Sequence, residues 1–229
     1  FDAVAIDMQH SMFDRDLVST TITAIQAAGS AAIARIPWND DPGLVMSLLD
    51  YGLAAIICPS IGSPEECRRF VSACRYPPLG IRNSNITRAS GYSRDTEGWF
   101  AAARERELVV AVVETATGLD SIEDIAATPG LDVIQLGPGD LLLSRFGYPA
   151  PAREAAEYLE AAHLRTLAAA RAAGVRAAAN APNAIRVRQL ASLGYDLIFL
   201  GCDLFDMQDH YKGELAELGD LLARPAGAG

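Results

Sequence analysis

The chain has 229 residues, half of them hydrophobic, and a formal net charge of −10 at pH 7. That length suits one α/β barrel or one large doubly wound domain. The acidity argues against nucleic acid and anionic membrane as partners, both of which are gripped through clustered Lys and Arg, and no apolar run approaches the ~20 residues that span a bilayer.

In chain order, AVAID at 3–7 reads as a short apolar strand, followed by a helix on which Val18, Ile22 and Ile25 fall at helical spacing. Gly29 precedes the strand AAIARI, and Gly52, after a helix bearing Leu44 and Leu48, precedes AAIICP. Ser63, Pro64 and Glu66 make a capping box with Pro at the first helical position. The helix they open carries Cys67 and Cys74, about 10 Å apart along its axis and too far for a disulfide. With Cys58 and Cys202 they also lack the tight spacing of a zinc site, so a reducing cytoplasm is the expected setting. From Tyr76 to Phe100 runs an insertion rich in Arg, Asn, Ser and Gly, expected to cover something or to reach a neighbouring subunit. Beyond it come LVVAVVE at 108–114, a helix with Ile122 and Ile125, and three strands each preceded by a glycine: Gly130 before DVIQLG, Gly174 before VRAAAN and Gly194 before DLIFLG. Of the 19 Lys and Arg residues only Lys212 is a lysine, and it lies in the tail beyond the last strand. A Schiff-base aldolase or a pyridoxal phosphate enzyme needs a lysine aimed into its site. Both are excluded.

The strands are apolar throughout, as in a parallel sheet covered on both faces. Their alternation with glycine-terminated helices predicts a (β/α)₈ TIM barrel over 1–205, with its first strand and helix upstream of residue 1, and a helical tail over 206–229. A Rossmann-like sheet is the alternative, but no GxGxxG turn follows the first strand.

Functional residues of such barrels gather at the C-terminal strand ends. That rule selects Asp7, Gln9 and His10 after AVAID, Arg35 after AAIARI, Glu114 after the fourth strand and Asp140 after the fifth. Glu114 and Asp140 end consecutive strands, and two carboxylates without thiolates suit a hard divalent ion such as Mg²⁺, Mn²⁺ or Co²⁺ with water and substrate oxygens completing its shell. The bland alternative is a helix cap or an ion pair with Arg. The turn Gly137-Pro138-Gly139-Asp140 offers backbone N–H groups to a substrate carboxylate, although such turns are common. His10 is placed to act as general acid or base, or is a helix-start histidine. Arg35 suits an anionic carbonyl or alkoxide oxygen, or an ion pair with Asp40 or Asp41. Asp50 is placed to orient His10 across the barrel mouth, or is an ordinary helix-end acid. His163 and His210 read as structural.

The segments FDAVAIDMQH, ARIPWNDD, LLDYGLAAIICP, RYPPLGIR, VVET and IQLGPGDL, in this order and spacing, resemble the HpcH/HpaI aldolase family from residue 1 to about 205. These are the metal-dependent pyruvate aldolases that include 4-hydroxy-2-oxoheptanedioate aldolase. The resemblance implies that Glu114 and Asp140 are metal ligands, that Arg35 polarises the carbonyl, that His10 and Asp50 form an acid–base pair, and that Gly137, Pro138 and Gly139 hold the pyruvate carboxylate. It implies a class II aldolase in which a pyruvate enolate adds to an aldehyde or is released from one. It also implies a homo-oligomer, a trimer or hexamer, with C-terminal helices exchanged through the stretch Leu204 to Leu222. Four departures point to an altered substrate: Gln9 where the family usually has Glu, Val112 where Gln is common, NSNITRAS after the RYPPLGIR motif, and DLLLSRFGYP without its first Ser. Two other readings are a related metal-dependent lyase acting on a CoA ester or an oxaloacetate-like acid, and a non-catalytic barrel.

Overall fold

A parallel strand pair requires a crossover, and each glycine-terminated helix supplies one. The computed structural model describes residues 1–219. Its strands, β1 (Ala3–Asp7), β2 (Ala31–Arg35), β3 (Ala55–Cys58), β4 (Leu108–Val113), β5 (Val133–Leu136), β6 (Arg176–Ala181) and β7 (Leu197–Leu200), lie parallel in one sheet in sequence order. The helices between and after them are α1 (Arg15–Ala27), α2 (Pro42–Asp50), α3 (Pro64–Cys74), α4 (Thr96–Arg106), α5 (Ala116–Asp120), α6 (Ile122–Ala126), α7 (Pro138–Phe146), α8 (Ala152–Ala173), α9 (Ala184–Leu193) and α10 (Asp203–Glu217). All seven strands fall on the apolar runs that predict them, and the sheet curls as in a (β/α)₈ barrel. Among the described residues β1 and β7 are its two edges.

The core has two layers because successive strand residues point to opposite faces. On β4, Val109, Ala111 and Val113 pack under the helices, whereas Val110 and Val112 turn into the barrel with Ile33, Ala55, Ile57, Val133 and Ala178. The outer layer is the larger, with Ile22 of α1, Ile56 of β3 and Ile134 of β5 fully buried. On the scale of ~25 cal/mol per Å² of apolar surface, each such side chain contributes about 2 kcal/mol.

Local signals match the helix ends. Asp14 accepts from the Leu17 N–H at 2.8 Å and opens α1, which buries the expected Val18, Ile22 and Ile25. Ser63 Oγ accepts from the Glu66 N–H at 3.2 Å, and the Glu66 carboxylate reaches back to the Gly62 N–H at 2.7 Å, one residue before the expected capping-box partner. The α3 thiols Cys67 and Cys74 are free and buried; burial pushes Cys67 up to about 11. Gly174 and Gly194, at φ 72° and 105°, adopt the left-handed conformation that ends α8 and α9.

The Tyr76–Phe100 insertion lies at the N-terminal ends of the strands, opposite to where barrel chemistry occurs. α3 runs antiparallel to the sheet and delivers the chain there, Ala89 N–H then donates to Asp50 O at 3.1 Å, and Arg88 donates to Tyr51 O at 2.6 Å. Arg82 from this segment is fully buried, donating to Glu107 at 2.6 Å and Asp50 at 2.9 Å. The insertion therefore closes the floor of the barrel and, among the described residues, does not cover the mouth. At the far end of the chain α10 buries none of its residues and presents Leu204, Phe205, Met207, Tyr211 and Leu215 outward. The remainder of the expected tail, 220–229, including the end of the Leu204 to Leu222 stretch, lies outside the described residues. Among the described residues no helix is long and apolar enough to cross a membrane.

Candidate active site

Strand parity decides what faces the mouth. Residues 33 and 35 of β2 share a face, as do 110, 112 and 114 at β4, so Arg35 and Glu114 continue the inward rows begun by Ile33 and by Val110 and Val112. Asp7 stands opposite Arg35 in the β1–β2 register. Arg35 grips it with both prongs, Nε donating to Oδ1 at 2.9 Å and Nη2 to Oδ2 at 2.6 Å. The expected alternative partners, Asp40 and Asp41, are not used this way, and Asp41 instead caps α2 by accepting from the Leu44 N–H at 2.8 Å. Burial works to raise the Asp7 carboxyl, but the Arg35 guanidinium and the backbone N–H groups of Gln9 and His10 outweigh it, so Asp7 titrates below the ordinary carboxylate range. Asp7 is thus a fixed anion that locks the guanidinium plane and folds the Asp7–His10 turn.

Glu114 follows β4 directly and is only 4% exposed. Its Oε1 accepts from both the backbone N–H and the Oγ of Ser60, each at 2.8 Å. Ser60 reaches that position with φ at 53°, a left-handed conformation uncommon for a residue other than Gly. On the other side Gly137 lies so close that a Cβ there would stand 2.7 Å from Glu114 Oε2. No Arg or Lys pairs with Glu114 or Asp140 among the described residues. A buried carboxylate without a basic partner is costly. One oxygen bonded by Ser60 and the other facing a backbone that only glycine allows make a cradle that fits a cation.

The turn expected at Gly137–Asp140 is the first turn of α7: Gly137 is its N-cap, Pro138 its first residue, and Asp140 lies in its acidic first turn, exposed at the mouth. The unpaired N–H groups and positive dipole end of such a turn suit a carboxylate. Among the described residues no group of three or more His, Cys, Asp or Glu side chains converges on one point, so a cation between Glu114 and Asp140 would draw its remaining ligands from water or substrate.

His10 follows β1 in a bend and is exposed. Asp50 is not beside it. As the last residue of α2 it sits at the opposite end of the barrel, with its carboxylate on Arg82. The expected pairing of His10 and Asp50 is not made within the chain, because a helix following a parallel strand runs back to the strand's starting end. Val112 is buried in the inward row, and beside it in the register stands Gln135, 5% exposed, whose Nε2 donates to Asn180 Oδ1 at 3.1 Å. Sequence reasoning singled out neither Ser60, Gln135 nor Asn180; for Gln135 the signal was a single amide inside an otherwise apolar strand. His163 is buried and bonded to Tyr195 OH at 2.7 Å, as a structural histidine. Lys212, on α10, is exposed and paired with Asp209.

A parallel barrel whose mouth carries a guanidinium locked by a carboxylate, two acids without basic partners and a helix N-terminus is the layout of an enzyme site for a small anionic substrate. The chain belongs to the HpcH/HpaI aldolase/citrate lyase family, whose model matches residues 1–209. It is 34% identical over 208 residues to a hydroxypyruvate/pyruvate aldolase of Chromohalobacter salexigens, covering 89% of this chain and 79% of that one. It is 31% identical to a hydroxypyruvate/pyruvate aldolase of Roseovarius nubinhibens over 95% of this chain and 83% of that one. Among solved structures, an HpcH/HpaI aldolase/citrate lyase family protein from Burkholderia cenocepacia superposes with a TM-score of 0.84 at 32% identity, covering 95% of this chain and 86% of that one.

Proposed function

We propose that the chain is a class II aldolase that forms a pyruvate enolate and adds it to, or releases it from, an aldehyde, with a divalent cation held by Glu114 and Asp140. The observation that carries this reading is the buried Glu114 carboxylate, bonded by Ser60 on one oxygen only and unmatched by any basic side chain among the described residues. A bound Mg²⁺, Mn²⁺ or Co²⁺ supplies Lewis-acid stabilisation of the negative charge that develops on the keto oxygen. Arg35, its plane fixed by Asp7, donates its free N–H groups to that same oxygen. The first turn of α7, from Gly137 through Pro138 and Gly139, receives the substrate carboxylate on its N–H groups. His10, the histidine that follows the C-terminal end of a strand, takes the proton of the hydroxyl that becomes the aldehyde in cleavage and returns it in addition.

The exposed apolar side chains of α10 support a homo-oligomer, trimer or hexamer, and four free cysteines support a reducing, cytoplasmic setting. The test is deuterium exchange at the pyruvate methyl, followed by proton NMR with added Mg²⁺. Exchange that requires the metal, stops with chelator and vanishes in Glu114→Gln is the expected result. Absence of exchange in metal-loaded wild-type protein contradicts the reading.

A further inference from the structure

Gln135 is a polar side chain in the wrong place for a barrel interior. Parity on β5 turns Val133 inward and Ile134 and Leu136 outward, so Gln135 points into the barrel. On β6, Ala178 faces inward while Ala177, Ala179 and Ala181 face the helices, so Asn180 points the same way. The two amides meet at 3.1 Å. That bond uses one of Gln135's polar atoms, and its Oε1 is buried with no hydrogen-bond partner. Exchanging O and N on both side chains leaves the same deficit, because a single bond cannot serve both ends of the Gln135 amide.

The position is specific. Gln135 precedes Gly137 by two residues on the inward row, and Gly137 is the residue against Glu114. The neighbour across the register is Val112, which offers no polar atom. Asn180 is exposed, and the Gln135 amide that it bonds is buried behind it. The barrel interior below the candidate cation site is therefore apolar on the β4 side and carries two amides on the β5 and β6 side.

We infer that Gln135 and Asn180 are specificity-determining residues of this site, and that they hold a hydroxyl carried by the oxo-acid substrate next to its carbonyl. A hydroxyl both donates and accepts, which matches an orphaned acceptor beside an amide already engaged. The substrate class that follows is a 3-hydroxy-2-oxo acid, taken in preference to its unsubstituted counterpart. The inference rests on the aldolase reading, and it adds which residues select the nucleophile.

The experiment compares hydroxypyruvate with pyruvate on the metal-loaded enzyme, using C3 proton exchange for each and calorimetric binding of each. Gln135→Leu and Asn180→Ala lower the ratio of hydroxypyruvate to pyruvate kcat/KM by about tenfold or more, with the loss appearing in hydroxypyruvate affinity, because a site built to bond a hydroxyl discriminates by that bond. Asn180→Ala, an exposed position, carries the test if Gln135→Leu does not fold, and Asn180→Asp restores part of the ratio. A ratio unchanged in a folded variant overturns this inference alone. Metal-dependent exchange absent for both acids in the wild-type enzyme overturns the aldolase reading and this inference with it.

Discussion

The two ends of the barrel treat charge in opposite ways. At the N-terminal end Arg82 lies between Asp50 and Glu107 and over the Tyr76 ring, while Arg75 pairs with Asp132 and donates to Gly130 O and Glu107 O. Every one of those charged groups has a charged partner within the chain. At the C-terminal end Arg35 is matched by Asp7, but Glu114 and Asp140 have no basic counterpart among the described residues. Charges that cancel against each other hold the fold together, and charges that the protein leaves uncancelled are available to something it binds. The difference also explains why the floor closes over a fully buried arginine while the mouth keeps Asp140 and His10 exposed.

The largest effect should come from Glu114→Gln, which keeps the shape and removes the charge. Aldol turnover should fall by on the order of 10³-fold, measured as kcat with saturating Mg²⁺, while the thermal midpoint of the metal-free protein holds or rises. A drop in stability with turnover intact would place Glu114 among the structural charges.

Next comes the floor. Arg82→Met leaves Glu107 buried and uncompensated, and breaking a buried pair in this way costs about 3–5 kcal/mol. Burial already works to raise the Glu107 carboxyl, and the Arg82 guanidinium opposes it without fully offsetting it. Urea unfolding should show the loss, and Mn²⁺ affinity of the folded fraction should stay at the wild-type value. A change in metal affinity would couple the two ends and erase the contrast.

Asp7→Asn should lower kcat by about 10²-fold, the scale of a misplaced binding group, because Asn cannot receive both prongs of Arg35. Metal affinity should be retained, which separates this variant from Glu114→Gln.

The smallest effect concerns neither end. Burial, with the nearby Arg186 charge, depresses His163 below its ordinary value of 6.5. The unfolded chain therefore binds a proton near that pH while the folded protein does not, so stability is full above it and declines as pH falls through the folded value. Chemical unfolding at about pH 7.5 and about pH 5.5 should differ by a slope of no more than one proton, and His163→Gln should flatten it.

How much of this was legible in the sequence depends on the range of the interaction. The strands were, because a parallel strand covered on both faces must be apolar throughout, and the cap at Ser63 was local. Arg35 and Glu114 were found from their places at strand ends. Arg35's partner was not: Asp7 lies 28 residues away, and only the β1–β2 register brings them together. Ser60 was hidden for a related reason, since its role depends on a left-handed backbone that no residue type there announces. Asp50 was misplaced although the information existed, because a helix returning from a strand's C-terminal end finishes at the N-terminal one. The insertion does cover something, as its composition suggested, but which end of the barrel it covers follows only from the direction in which α3 delivers the chain.

The most direct test of the contrast between the two ends is a Mn²⁺ titration of the metal-free protein, followed by electron paramagnetic resonance, on the wild type, Glu114→Gln and Asp50→Asn. The wild type and Asp50→Asn should each take up a single ion per chain with equal affinity, and Glu114→Gln should bind at least about 100-fold more weakly. Wild-type affinity in Glu114→Gln would contradict the account, because the one buried carboxylate left without a basic partner among the described residues would then hold nothing.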